Sequence, residues 1–340
     1  MLGGSLVRKL TTEGVSPLSV DVRHGSGPTG QATSDRQLRQ ATADIRDTAA
    51  LIGLFRGMDA VIHCAGALPS YPAAQIHSVI ADGTRSALEA SWSAGVPRFV
   101  HISTTAVYGL PAHVPTPEDY PLEPVDDYGR AKVAAEQACA EYRAKGMCVP
   151  VLRPKTFLGP GRLGLFDMLF EWARDGRNFP VLGRGDVRIQ MLDVEDLLDM
   201  VISVLRLPAD TADGTFNVGA AEFGTLRQDF QAVLDAAGQG KRVVGLPAKP
   251  ALGILRVLER GRLSPVYGRL LHKLLADSFV SIERARDQLG FSPKYSNRDT
   301  ITRTYRWWCE QRAARTVKPD GRTSRDPWRQ GALRYAKVLF

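Results

Sequence analysis

The chain has 340 residues, 44% hydrophobic and 24% charged, with a formal net charge of +8. That length allows one large or two unequal domains around a sizeable core, and the composition is ordinary for a globular protein. No apolar run approaches the roughly 20 residues of a membrane-spanning helix, and Cys64, Cys139, Cys148 and Cys309 are scattered with no CxxC, against a disulfide framework or a metal site.

The start, Met1 to Leu10, lacks the long apolar region of a leader, so a reduced, cytoplasmic setting is expected. The positive charge is concentrated at the other end. From Gln311 onward, eight Lys and Arg stand against Asp320 and Asp326, a net +6. The remainder is near neutral, which argues against nucleic-acid binding by the body.

In chain order, Gly3 to Glu13 reads as a helix stopped by Gly14, with Leu6, Val7 and Leu10 on its inner face. Val15 to Val22 is a strand ending at Asp21, and Gly25 to Gln31 a polar loop. A helix around Thr48 to Phe55 precedes the apolar strand Ala60 to Cys64. Ala73 to Ala94 reads as one long helix and Arg98 to Ser103 as the next strand. A helix follows from Tyr128 to Ala144, then a strand from Cys148 to Arg153. Strands alternating with helices at this interval indicate βαβ units and a parallel sheet covered on both faces.

The second half is less regular. Gly159 to Arg162 is a turn, Leu165 to Arg174 a helix, and Gly183 to Asp186 a hairpin-like turn. Asp193 is a candidate N-cap for a helix running to Leu205. The expected organisation is a first domain over residues 1–155, an interleaved substrate or lid part over 156–310, and a basic tail over 311–340. Leu252 to Leu275, rich in Leu and Arg, reads as a lid helix pair.

Thr104 to Gly109 ends the apolar run Arg98 to Ser103, and Tyr128 and Lys132 lie one turn apart on one helix face. An ammonium beside a phenol lowers its pKa, and a hydroxyl from the strand end can reach the same point. That combination suits proton movement on an alcohol oxygen while a hydride moves elsewhere.

Taken together, these residues resemble the extended short-chain dehydrogenase/reductase family, specifically its NAD-dependent epimerase/dehydratase group. The resemblance rests on Asp44-Ile45-Arg46, Asp59 to Gly66, Asp82 to Arg85, Thr104 with Tyr108-Gly109, Tyr128-xxx-Lys132, Arg153-Pro154 with Gly159-Pro160, and Asp193 to Asp196. It covers Gly3 to about Trp308. It implies a Rossmann-like, doubly wound α/β fold with a smaller C-terminal α/β substrate domain. It also implies Tyr128 as acid/base, Lys132 holding the nicotinamide ribose, and Thr104 bonding the reacting oxygen.

On the cofactor side the resemblance implies NAD held by Gly3, Asp21, Asp44, Ile45, Cys64, Ala65, Gly66, Tyr128, Lys132, Arg153 and Pro154. Asp21 at a strand end can take both ribose hydroxyls, favouring NAD, while Arg23 leaves NADP open. Thr105, Thr156, Arg162 and Gln190 are the substrate candidates, and no metal is expected. Relatives often form a homodimer through the helices at Ala73 to Ala94 and Tyr128 to Ala144.

Several positions depart from that pattern. The family opens with a strand and a TGxxGxxG loop, and Met1-Leu2-Gly3 corresponds only to the end of that loop. A start lying upstream is the expectation, with weakened cofactor binding for the chain as written and no neighbour for Val20, Val22, Val61 and Ile62. Ile80 and Thr156 stand where many relatives have Asn; Lys155 and Arg162 nearby can still bind phosphate. Thr105 and Ala106 are not the acidic pair of a dehydratase, which disfavours dehydration.

Three readings follow. One is epimerisation or oxidoreduction of a nucleotide-diphosphate sugar, and the second is oxidation of a hydrophobic alcohol as in the 3β-hydroxysteroid dehydrogenase branch. The third is a catalytically silent NAD-binding relative. The basic tail, with Leu333, Tyr335, Val338, Leu339 and Phe340 among Arg334 and Lys337, is expected either to touch anionic lipid or to dock on its own domain or a partner subunit.

Overall fold

The computed structural model describes residues 2–23, 39–161, 166–248, 250, 253 and 275–314. The residue Arg162, most of the expected lid pair and the tail beyond 314 lie outside that set. The first half alternates helices and strands: α1 (Leu2–Thr12), β1 (Leu18–Asp21), β2 (Arg39–Thr42), α2 (Thr48–Phe55) and β3 (Val61–His63). After these come α3 (Ala73–His77), α4 (Gly83–Ser93), β4 (Phe99–Ile102), α5 (Asp127–Ala144) and β5 (Val151–Pro154).

The second half contains β6 (Phe157–Leu158), α6 (Asp167–Arg174), β7 (Phe179–Leu182), β8 (Leu192–Asp193), α7 (Val194–Arg206), α8 (Ala209–Ala212) and β9 (Thr215–Val218). It continues with α9 (Leu226–Ala236), β10 (Val243–Leu246), α10 (Glu283–Leu289) and α11 (Asn297–Ala314). Among the described residues no helix is long and apolar enough to cross a membrane.

Every ladder between these strands is parallel. The main sheet runs β3-β4-β5-β9, with His63 opposite His101, Ile102 opposite Leu152 and Arg153 opposite Asn217. β1 and β2 form a separate pair, and β1 and β3 share no ladder among the described residues. Alternation along the strands feeds two cores. Val100, Ile102, Leu152 and Phe216 pack with Leu2 and Leu6 of α1 and with α7. Phe99 and Val151 pack with Leu51 of α2, Leu88 of α4 and Cys139 of α5. The layers are therefore helix, sheet, helix, a doubly wound α/β arrangement.

Local chemistry explains the boundaries that matter for the cleft. Asp126 accepts a hydrogen bond from the Gly129 backbone N–H at 2.7 Å and so caps α5 just ahead of Asp127 and Tyr128. A side chain at Gly129 would lie 2.8 Å from Pro124 Cβ and 3.0 Å from the Ala106 carbonyl, so glycine lets α5 start against the loop after β4. Asp193 caps α7 through the Glu195 N–H at 2.9 Å.

Two expectations change. The helix from Ala73 to Ala94 is interrupted by a π-turn over Ser78–Asp82. There the Thr84 hydroxyl donates to the Ile80 carbonyl at 2.6 Å and meets His63 Nε2 at 3.0 Å, a local side-chain bond of the kind that bends helices. The turn at Gly183 to Asp186 is not a hairpin, because β7 pairs in parallel with β10 rather than with the next strand. β2, which carries no strong apolar alternation, was not anticipated.

A third core, built from Phe170, Trp172, Phe179, Val233, Tyr305 and Trp308, holds α6, α9 and α11 together in the second half. β9 then returns the chain to the main sheet beside β5.

Candidate active site

The segments that follow the strands converge on one cavity of about 1770 Å³. Asp21 ends β1, Asp44 and Ile45 follow β2, Cys64 to Gly66 follow β3, and Thr104 to Ala106 follow β4. Pro154 to Thr156 line it from the end of β5, and Tyr128 and Lys132 from α5. The C-terminal edge of a parallel sheet is where α/β folds bind ligands, because loops and helix starts meet there. The tertiary structure thus brings together Gly3, Asp21, Asp44, Ile45, Cys64, Ala65, Gly66, Thr104, Thr105, Tyr128, Lys132, Pro154 and Thr156.

Thr104 is extended and caps a short 3₁₀ turn over Thr105–Tyr108, its hydroxyl accepting from Ala106 N–H at 3.2 Å. That capping bond fixes the hydroxyl at the strand end. Lys132 is 5% exposed, and its Nζ donates to the Ile102 carbonyl at 2.6 Å. Burial pulls its pKa down to about 8, against the opposing charge of Glu136. On the far side Asp44 is gripped by the Arg46 side chain, with Nη2 to Oδ2 at 2.6 Å, which draws its carboxyl down to about 2.

Arg153 does not line the cavity. Its guanidinium turns into the core, where Nη2 donates to Glu136 Oε2 at 2.6 Å and Nη1 donates to Tyr108 Oη at 2.8 Å. Nη1 also donates to the Glu118 carbonyl at 2.8 Å. Tyr108 in turn donates to Asn217 at 2.8 Å, and burial pushes its phenol up to about 12. The Ser103 hydroxyl donates to Glu136. Glu136 and Asn217 belong to none of the sequence motifs, and Ser103 and Tyr108 enter them only as a strand end and as part of the Thr104 to Gly109 block. Glu136 lies four residues after Lys132 on the same face of α5, which was the available signal.

Gln190 is likewise withdrawn from the cavity. Its side chain is 1% exposed, donates to the Ala220 carbonyl at 2.8 Å and accepts from Val280 N–H at 2.9 Å. Lys155 lines the cavity beside Thr156, and its Nζ donates to Ser278 Oγ at 2.9 Å.

The donor set fits a dinucleotide. An exposed carboxylate at the end of β1 is placed for vicinal hydroxyls, and Asp44 and Ile45 border the same end of the cavity. Gly3, in the first turn of α1, would place a Cβ 3.8 Å from Cys64 Cβ, so α1 starts close against the end of β3. Among the described residues no cluster of three or more His, Cys, Asp or Glu could hold a metal.

Residues 1–219 match the NAD dependent epimerase/dehydratase family. An uncharacterized protein of Sinorhizobium fredii, y4nG, is 32% identical over 86% of this chain and 79% of its own length. A dTDP-glucose 4,6-dehydratase of Streptomyces niveus is 28% identical over 82% of this chain and 78% of its own. The 3beta-hydroxysteroid-dehydrogenase/decarboxylase isoform 2 of Arabidopsis thaliana is 25% identical over 84% of this chain but only 55% of its own. Among solved structures, the dTDP-glucose 4,6-dehydratase DesIV of Streptomyces venezuelae, crystallised with NAD and TYD bound, superposes with a TM-score of 0.72 at 24% identity. That superposition covers 93% of this chain and 96% of the other.

Proposed function

The chain belongs to the NAD-dependent epimerase/dehydratase family and is an NAD-dependent enzyme, and on that premise we propose that it acts on a secondary alcohol carbon of a nucleotide-diphosphate sugar. The supporting observation is that Thr104, Tyr128 and Lys132 border the same cavity as Asp21 and Asp44. Proton chemistry and dinucleotide recognition therefore share one space. The dTDP-glucose dehydratase relative supports the sugar class, and Lys155 supplies an ammonium for a diphosphate.

In this reading Asp21 takes the ribose hydroxyls of the adenosine half, and Asp44 with Ile45 borders the adenine. Lys132 holds the second ribose, and its charge lowers the cost of a phenolate at Tyr128. Tyr128 then removes the proton from the substrate hydroxyl as the general base and returns it as the acid. Thr104 holds the reacting oxygen in place, its hydroxyl already oriented by the bond from Ala106. The chemistry that bound NAD would supply is a reversible hydride acceptor beside the carbon whose hydroxyl Tyr128 deprotonates. Arg153 and Gln190 act from behind the wall as buried supports rather than as ligand contacts.

Thr105 and Ala106 offer no acid for eliminating water, which favours epimerisation or simple oxidoreduction over dehydration. A hydrophobic alcohol is the second reading, supported by the hydroxysteroid relative and by Phe157 and Phe166 at the cavity wall. Incubation with NAD and a panel of UDP-sugars, dTDP-sugars and 3β-hydroxysterols, read by NMR of the products, tests both. Conversion of a nucleotide sugar supports the first reading; conversion of sterols alone overturns it.

A further inference from the structure

On the face of the sheet that meets α4 and α5, apolar residues give way to polar ones two positions along each strand. Phe99 is followed by His101 and Ser103, Val151 by Arg153, and Val61 by His63. These four, with Lys132 and Glu136 of α5, are buried and form a polar layer at the cavity end of the core.

Lys132 has around it Glu136 and Cys139 of α5, Cys64 and His63 at the end of β3, and His101 of β4. Burial and the charge of Lys132 push both imidazoles far below their usual range, so they are neutral. Burial pushes both thiols up, so they are neutral too. Glu136 is the carboxylate of this group.

The packing holds the two charges together. Lys132 and Glu136 lie one turn apart on α5, a spacing that puts their Cβ atoms about 6 Å apart. Lys132 Nζ donates to the Ile102 carbonyl at 2.6 Å, and Glu136 accepts from the hydroxyl of Ser103, the next residue. Both side chains therefore grip the same strand end. Arg153 closes the other side of the carboxylate, with Nε to Oε1 at 3.0 Å and Nη2 to Oε2 at 2.6 Å. Arg153 is itself fixed, because Nη1 donates to Tyr108 Oη and to the Glu118 carbonyl. Held in this way, the carboxylate cannot turn away from Lys132, and its field is poorly screened in the buried layer.

We infer that Glu136 is a positioning residue for the reaction, keeping Lys132 charged over the working pH range while Arg153 holds it in place. Neither residue lines the cavity. The inference rests on the reading that Tyr128 and Lys132 act as a pair, and it names what sets the pH range of that pair. A buried ammonium loses its proton more readily than an exposed one, and a neutral amine gives no support to a phenolate at Tyr128. Removing the Glu136 charge also leaves the Arg153 guanidinium uncompensated, which drives Lys132 in the same direction.

NMR of the full chain labelled with [13Cε]lysine reads the titration of Lys132 without turnover, its resonance being identified by loss in Lys132→Met. In the unaltered chain the midpoint should lie at about 8, below the exposed lysines. Glu136→Gln should move it at least about one pH unit to the acid side, and Glu136→Asp should return it to within about half a unit. The double variant Glu136→Leu with Arg153→Met, which leaves no member of the pair as a lone buried charge, should move it the same way as Glu136→Gln. With NAD and the substrate that the panel identifies, the alkaline limb of kcat/KM should follow the midpoint in each variant. An unmoved midpoint in the folded double variant overturns the proposal even if Glu136→Gln does not fold. A midpoint that moves while the alkaline limb stays overturns it too. Failure of the underlying acid/base reading shows separately, as full turnover by Tyr128→Phe.

Discussion

Arg153 and Glu136 meet behind the cleft as a bidentate ion pair, with Nη2 to Oε2 at 2.6 Å and the side chains only 6% and 7% exposed. The same carboxylate accepts from Ser103, the residue before Thr104. One buried carboxylate therefore links the ends of β4 and β5 to the helix that carries Tyr128 and Lys132. The clasp thus ties the strand end that carries Thr104 to α5.

Glu136→Gln should cost about 3 kcal/mol, because a buried guanidinium left without its counter-charge is strongly destabilising. The midpoint of urea unfolding measures it. The double variant Glu136→Leu with Arg153→Met should lose less than the sum of the singles, since it removes both charges together.

Tyr128→Phe should lower kcat by about 10²–10⁴ by removing the acid/base, on whichever substrate the panel identifies. The phenol ring and its packing are kept, so the melting temperature should change by no more than about 1 °C. Steady-state turnover alongside a thermal melt separates loss of chemistry from loss of fold.

Lys132→Met should abolish turnover and yet raise Tm at pH 7 by a few degrees. Burial lowers the lysine pKa from 10.5 to about 8, so at pH 7 the native chain holds a costly charge. The penalty fades with alkalinity. Between about pH 8 and 10.5 the unfolded chain binds a proton that the native chain does not, so the unaltered protein gains stability across that window. The advantage of the variant should therefore shrink between pH 7 and pH 10, as differential scanning calorimetry at both values would record.

Asp21→Ser should narrow the preference for NAD over NADP by about tenfold, corresponding to about 1.4 kcal/mol. Asp21 is exposed at the end of β1, and its Oδ1 already accepts from Arg23 N–H at 3.1 Å. Removing the carboxylate takes away both a ribose acceptor and the repulsion felt by a 2′-phosphate. Titration calorimetry with each dinucleotide reads the ratio directly.

The local chemistry of the site was legible in the sequence. Apolar runs and helical spacing marked β3, β4 and α5, and therefore the positions of Cys64, Thr104, Tyr128 and Lys132, because strand and helix periods are properties of neighbouring residues. Gly14, at φ +83°, ends the region of α1 as its position in the sequence indicated. The family resemblance followed from the order of such motifs.

Other assignments depended on contacts between residues far apart in the chain. Arg153 carries a cofactor-type motif but turns inward, because Glu136 and Tyr108, 17 and 45 residues away, offer it a charged and a hydroxyl partner in the core. Gln190 is held inside by the Ala220 carbonyl and the Val280 amide, 30 and 90 residues distant. The sequence by itself marked most of the elements around the cleft and made Thr104, Tyr128 and Lys132 its candidates for moving a proton. Only the tertiary structure decided which polar side chains face the cavity and which brace its wall. Burial and ladder pairing are settled by long-range packing, which no local period encodes.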